Sequence, residues 1–207
     1  MEQQQPRMLR VWDPVVRIGH WTLVVSFFVA YFTEEDFLAL HVWAGYVLGC
    51  VVLFRLLWGF VGTRYARFSD FLYSPARIVE YLRGLRQGRA AHYVGHNPAG
   101  GVMIVLLLIS LSATVYTGLE AYAVEKNAGP LAALRTTAES GRSLSPAKST
   151  HAAGDKEGEG FWEELHEFLA NFTLMLVIVH VCGAVASSYL HRENLVKAMI
   201  TGSKVRY

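Results

Sequence analysis

Four apolar runs dominate this chain, and each is long enough to cross a lipid bilayer. They are Val15–Phe32, Phe37–Phe60, Gly101–Leu119 and Phe168–Leu190. A membrane-crossing helix needs about 20 mostly apolar residues, because the hydrocarbon core is about 30 Å thick and each helical residue rises about 1.5 Å. Composition agrees: 53% of the residues are hydrophobic and only 17% charged, where a soluble domain carries about 25% charge. The expected fold is all-α, an integral membrane four-helix bundle forming a single domain over residues 1–207, with helices at about 15–32, 37–60, 101–119 and 162–190. The first run does not read as a secretory signal. It is long, no small-x-small cleavage site follows it, and acidic Glu34, Glu35 and Asp36 come next. Cys50 and Cys182 both fall inside apolar runs and read as small buried hydrophobes, not as a disulfide.

Charge distribution orients the runs. Arg7, Arg10 and Arg17 precede or open the first. Arg64, Arg67, Arg77, Arg83, Arg86 and Arg89 separate the second from the third, and Arg192, Lys197, Lys204 and Arg206 follow the fourth. Basic residues collect on the cytoplasmic side of membrane helices. Both termini are therefore expected in the cytoplasm. The turn Thr33–Asp36 and the connection Glu120–Glu164, with five basic and eight acidic residues, are expected outside. Ser74–Pro75 followed by Ala76–Arg86 predicts a short helix with a serine N-cap and proline at its first position. Residues 136–160 are poor in large apolar side chains and read as a mobile outer loop.

Two histidines, His166 and His180, stand fourteen residues apart on the last run. Fourteen residues make almost four whole helical turns, so both imidazoles leave one face, roughly 21 Å apart along the axis. That spacing suits two haems at different depths of a membrane. Each needs a second ligand. His20, early in the first run, lies at the inner depth of His180, and His41, early in the second, at the outer depth of His166. Arg55 follows His41 by another fourteen residues and shares its face at the inner depth. An arginine there is costly unless paired, and a haem propionate is a natural partner. Arg17 is placed to serve likewise. Gly45 and Gly49 follow His41 at successive steps of four, leaving room either for a porphyrin or for close helix packing. His92 and His96 read as surface residues, His151 as solvated and His191 as interfacial.

The segments RVWDPVVRIGHW, LHVWAGYVLGCVVLFRLLWGFVGTRYARFSDF and WEELHEFLANFTLMLVIVHVCGAVASSYLHRENLVKAMITG resemble the bacterial cytochrome b561 and nickel–iron hydrogenase b-type cytochrome family. The resemblance covers nearly the whole chain outside the loop around Thr136–Gly160. It implies a four-helix cytochrome of the bacterial inner membrane with two b-type haems, passing electrons between a quinone pool and a partner redox protein or subunit. It also implies that His20 and His180 hold the cytoplasmic-side haem iron and His41 and His166 the outer one. By the same resemblance, quinone or quinol is the exchangeable substrate, beside the turn Gly95-His96-Asn97-Pro98-Ala99-Gly100-Gly101. Asn97 is there the candidate for a hydrogen bond to a quinone carbonyl. The plainer reading of the turn is an Asx-Pro start to the third helix.

Bis-histidine ligation leaves iron no open position, which suits electron transfer and not substrate chemistry at the metal. The expected partners are the lipid membrane, quinone, and a c-type cytochrome or an iron–sulfur, hydrogenase-like subunit outside. The acidic outer residues Glu34, Glu35, Asp36, Glu163 and Glu164 would attract a basic one. No nucleic acid is expected. One competing reading is a superoxide-oxidising quinone reductase of the same family, which would want a positive outer pocket where this chain is acidic. Another is a histidine-lined metal or proton transporter, which would gather its ionisable groups near the midplane on broken helices. An anchor without cofactor would leave four histidines and an arginine in apolar helices unexplained.

Overall fold

The structure is a computed structural model and describes residues 7–34, 36–89, 93, 95–142, 154–190 and 193–206. His92, His151, His191, Arg192 and Glu35 lie outside the described residues, as does the middle of the expected loop. Four long apolar helices carry the fold: α1 (Pro14–Phe32), α2 (Leu38–Val61), α5 (Pro98–Glu125) and α7 (Gly154–Leu190). All four are long and apolar enough to cross a membrane. Shorter elements join them: α3 (Phe68–Phe71), α4 (Pro75–Arg86), α6 (Gly129–Arg142) and α8 (Leu195–Thr201). Beside these helices the described residues form one small ribbon. Strand β1 (Arg7–Arg10) pairs antiparallel with β2 (Ser203–Arg206), Arg7 opposite Arg206 and Arg10 opposite Ser203.

Local chemistry explains the ends. Asp13 accepts from the Val16 N–H at 2.8 Å, and Pro14 takes the first helical position of α1. Asn97 does the same for α5, its Oδ1 accepting from the Gly100 N–H at 2.7 Å ahead of Pro98. Asn194 caps α8, and Gly202, at φ +82°, ends it in the left-handed conformation before β2. The serine cap expected for α4 is only half met. Pro75 opens the helix, but the Ser74 side chain makes no capping hydrogen bond.

Two helices outrun their apolar stretches. α5 continues through Glu120 to Glu125, because the Glu120 carboxylate takes Arg135 and the Tyr116 hydroxyl as partners and does not have to leave for water. The expected loop 136–160 is helical at both ends, where α6 runs to Arg142 and α7 begins at Gly154.

The contacts divide the chain into two compact units, residues 1–109 with 175–207 and residues 110–174. In the first, α1 packs along α2. The Thr63 hydroxyl at the end of α2 bonds the Asp13 carboxylate at the start of α1. The Arg17 guanidinium donates to the Ile200 carbonyl, tying α1 to α8. Val11, Trp12 and Ala198 form a buried cluster flanked by Tyr65 and Met199. β1 and β2 thus meet in one place, so residues 7–10 and 203–206 share a side of any membrane. In the second unit the helices meet through hydroxyls. Thr173, fully buried, lies 2.6 Å from Ser110 Oγ and 3.1 Å from Thr114 Oγ1.

The outward surface is apolar. Ile18, Trp43, Leu53, Leu57, Phe60, Ile109, Phe168 and Val185 are all exposed, while Ser26, Ser110, Thr114, Thr117 and Thr173 are buried. Hydroxylic residues packed inside while many large apolar side chains stay exposed is the pattern of helices solvated by lipid. Cys50 and Cys182 follow it. Both are free and exposed, not buried as the sequence suggested, since an apolar helix facing lipid has no need to hide a thiol.

Candidate functional site

Two of the four candidate histidines meet. His20 of α1 and His180 of α7 place their ring centroids 6.5 Å apart, with planes inclined at 53°. That is wider than a stacked pair of rings. It is close to the span of one metal ion held between two imidazole nitrogens at about 2 Å each.

In the same unit the helices leave four buried polar atoms without a hydrogen-bond partner among the described residues. His20 Nδ1, Arg17 Nε, Arg55 Nη1 and Trp58 Nε1 are all shielded from solvent and make no hydrogen bond. A buried polar group left unpaired costs about 1–3 kcal/mol, so four in one unit point to an absent acceptor. The Arg55 guanidinium lies 5.6 Å over the ring of Phe68 and 6.0 Å over that of Phe71 and feels the charge of Asp13. An iron porphyrin with two carboxylates would supply both the metal between the imidazoles and acceptors for the guanidinium and indole N–H groups. The residues present fit a haem.

His41 and His166 belong to different units, and each is anchored in its own. His41 Nδ1 lies 2.9 Å from the Ala30 carbonyl of α1. His166 Nδ1 lies 2.9 Å from the Thr114 carbonyl of α5, with Thr117 Oγ1 at 3.3 Å. A carbonyl only accepts, so in both rings Nδ1 carries the proton and the lone pair sits on Nε2. Metal-binding histidines are oriented in this way, by a backbone carbonyl on the nitrogen that does not bind. Gly118 makes the arrangement of His166 possible: a Cβ there would stand 2.7 Å from its Cε1. At Gly45 a Cβ would meet nothing within 4 Å, so among the described residues no tightly packed helix explains that glycine.

Asn97 is engaged inside the fold. Its carbonyl caps α5 and its side chain also bonds Tyr81, which favours the Asx-Pro reading of this turn. His96 is not a surface residue. Its ring is half-buried, 4.5 Å from that of Trp12 and 4.9 Å from that of Phe71, and its carbonyl accepts from the Tyr73 hydroxyl. A histidine before an Asn-Pro turn gave no hint of this, because both aromatic neighbours come from distant segments.

Sequence reasoning also missed Ala30, Thr114, Gly118 and Trp58. The first two act through backbone carbonyls, which no side-chain pattern reveals. Gly118 offered a faint signal, a glycine within an otherwise large-residue helix. Among the described residues no three of His, Cys, Asp or Glu gather as a metal cluster; the imidazoles of His20 and His180 come as a pair.

Comparison with known proteins follows the same line. The family described as prokaryotic cytochrome b561 matches residues 11–202. A protein named "Probable Ni/Fe-hydrogenase B-type cytochrome subunit" from Rhodobacter capsulatus is 22% identical over 94% of this chain and 80% of its own length. One of the same name from Cupriavidus necator is 24% identical over 93% of this chain and 85% of its own. No solved structure matches.

Proposed function

The chain belongs to the prokaryotic cytochrome b561 family, and from that premise we propose that it is a di-haem membrane cytochrome. It carries electrons between the quinone pool and a redox partner on the periplasmic side of the bacterial inner membrane. Membrane electron transfer with b-type haem is the family's activity. The count of two haems, the quinone, the cytoplasmic termini and the partner are our reading. The names of the relatives favour a hydrogenase-like subunit as that partner, with a c-type cytochrome as the other candidate.

The observation that carries the proposal is the opposition of His20 and His180 in a unit that leaves buried polar atoms without a hydrogen-bond partner among the described residues. These two would hold the inner haem; His41 and His166 would hold the outer. Iron held by two imidazoles exchanges single electrons and offers no position to a substrate. The chain does the rest. The Ala30 and Thr114 carbonyls would fix the tautomer and ring orientation of His41 and His166. Arg55, Arg17 and Trp58 would offer N–H groups to the haem carboxylates, and the two cations would offset negative charge that an apolar interior resists. The turn at residues 95–101 is the proposed quinone side. Asn97 would shape it, since its own polar atoms are already engaged.

Haem content tests this. Purified protein made with ample haem supply should carry about two b-type haems per chain by pyridine haemochrome assay. A content near one would remove the outer site from the proposal, and colourless protein would end it.

A further inference from the structure

We propose that α4 is an interfacial helix that binds the anionic phospholipid surface of the bilayer. It stands between two membrane helices, α2 ending at Val61 and α5 beginning at Pro98, so it is tethered near the surface at both ends. Its residues sort into three stripes at helical spacing. Ile78, Tyr81 and Leu85 are buried or half-buried against the protein. Arg77 and Glu80 occupy a second, exposed stripe. The third holds Val79 and Leu82, 45% and 48% exposed, followed by Arg86 one turn beyond Leu82. Arg83 stands one turn beyond Val79, and exposed Leu72 lies just upstream.

Among the described residues nothing covers Val79 and Leu82, and water is a poor solvent for both. An exposed apolar edge bordered by arginines on one short helix is the arrangement that lies in the headgroup layer. The apolar pair enters the acyl boundary while the arginine stems run along it and carry their charge to the phosphates. The charge selects the lipid. Residues 75–86 hold three arginines and one glutamate, and Arg89 follows directly. A net positive helix on a surface that already carries basic segments prefers anionic headgroups to zwitterionic ones.

The full chain, with Cys50 and Cys182 replaced by alanine, is labelled with an environment-sensitive fluorophore through Val79→Cys or Glu80→Cys. Each is reconstituted in phosphatidylcholine bilayers with or without phosphatidylglycerol. The label at 79 should be quenched by spin-labelled acyl chains and shielded from iodide, more so with phosphatidylglycerol. The label at 80 should behave in the opposite way. Adding Arg83→Gln and Arg86→Gln should abolish the dependence on phosphatidylglycerol. Equal iodide access at both positions in both bilayers would overturn the proposal. So would shielding at 79 that appears only with a second protein, since the face would then be a protein interface. Should labelling perturb the fold, mass spectrometry of lipids retained by unlabelled protein decides. Wild type should keep several-fold more phosphatidylglycerol than the double arginine variant, and equal retention would refute the assignment.

Discussion

The imidazoles of His20 and His180 face one another across 6.5 Å between ring centroids, though they come from opposite ends of the chain. A pair that grips one metal ion fails as a unit. His20→Ala and His180→Ala should therefore each lower haem content from about two per chain toward one, and the double variant should lose no more than either single. Pyridine haemochrome assay on the three proteins checks it. Additive losses would mean that the two histidines serve different haems.

Gly118 and Gly45 separate two explanations of small residues. An alanine at 118 would press its Cβ to 2.7 Å from His166 Cε1 and drive the ring off the Thr114 carbonyl. Disturbing the outer partner of a metal-binding histidine costs about 10–100-fold in metal affinity, so Gly118→Ala should weaken retention of the outer haem by that order. Gly45→Ala meets no protein atom. If its open space belongs to porphyrin, it should also lower haem retention while leaving thermal stability unchanged. Haem titration of the apoprotein measures both.

Arg135 and Glu120 should respond unequally to substitution. The Glu120 side chain is 10% exposed and that of Arg135 is 49% exposed. Removing the arginine leaves a buried carboxylate with the Tyr116 hydroxyl as its remaining described partner. Arg135→Ala should cost about 1–3 kcal/mol. Glu120→Gln leaves a guanidinium that water can reach, and should cost under about 1 kcal/mol. Unfolding midpoints in detergent at one ionic strength compare them; equal losses would contradict the burial difference.

Alkali should loosen the segment around α4. Burial raises the hydroxyl pKa of Tyr73, and Tyr93 and Asp70 add to the rise. Burial and Tyr93 raise that of Tyr81, against a hydrogen bond from Asn97. The unfolded value is about 10. Above it the unfolded chain has shed protons that the folded one keeps, so stability is intact below about pH 10 and falls as pH rises through the folded values. Tyrosinate absorbance should lag behind free tyrosine in this window. Tyr73→Phe with Tyr81→Phe should flatten the decline.

Much of this could be read beforehand, and the remainder has physical reasons. Apolar run length located α1, α2, α5 and α7, because lipid demands it. Helical phase and depth paired His20 with His180. The ribbon could not be foreseen, since four-residue strands take their partners from the far end of the chain and carry no alternation worth the name. Nor could the continuation of α5 past Glu120, an acid whose neutralising arginine stands fifteen residues on. At Asn97 the structure shows the helix cap that an Asn-Pro dipeptide invites, while the quinone contact that the resemblance implied stays part of the proposed function. His96 misled because exposure was inferred from its neighbours in sequence, while Trp12 and Phe71 reach it only in three dimensions.

Pairing Arg7 with Arg206 laces residues 7–10 to residues 203–206 by backbone hydrogen bonds, so the chain between them leaves from and returns to one spot. Complementary halves of a split reporter, one grafted before residue 7 and the other after 206, would reassemble within a single copy.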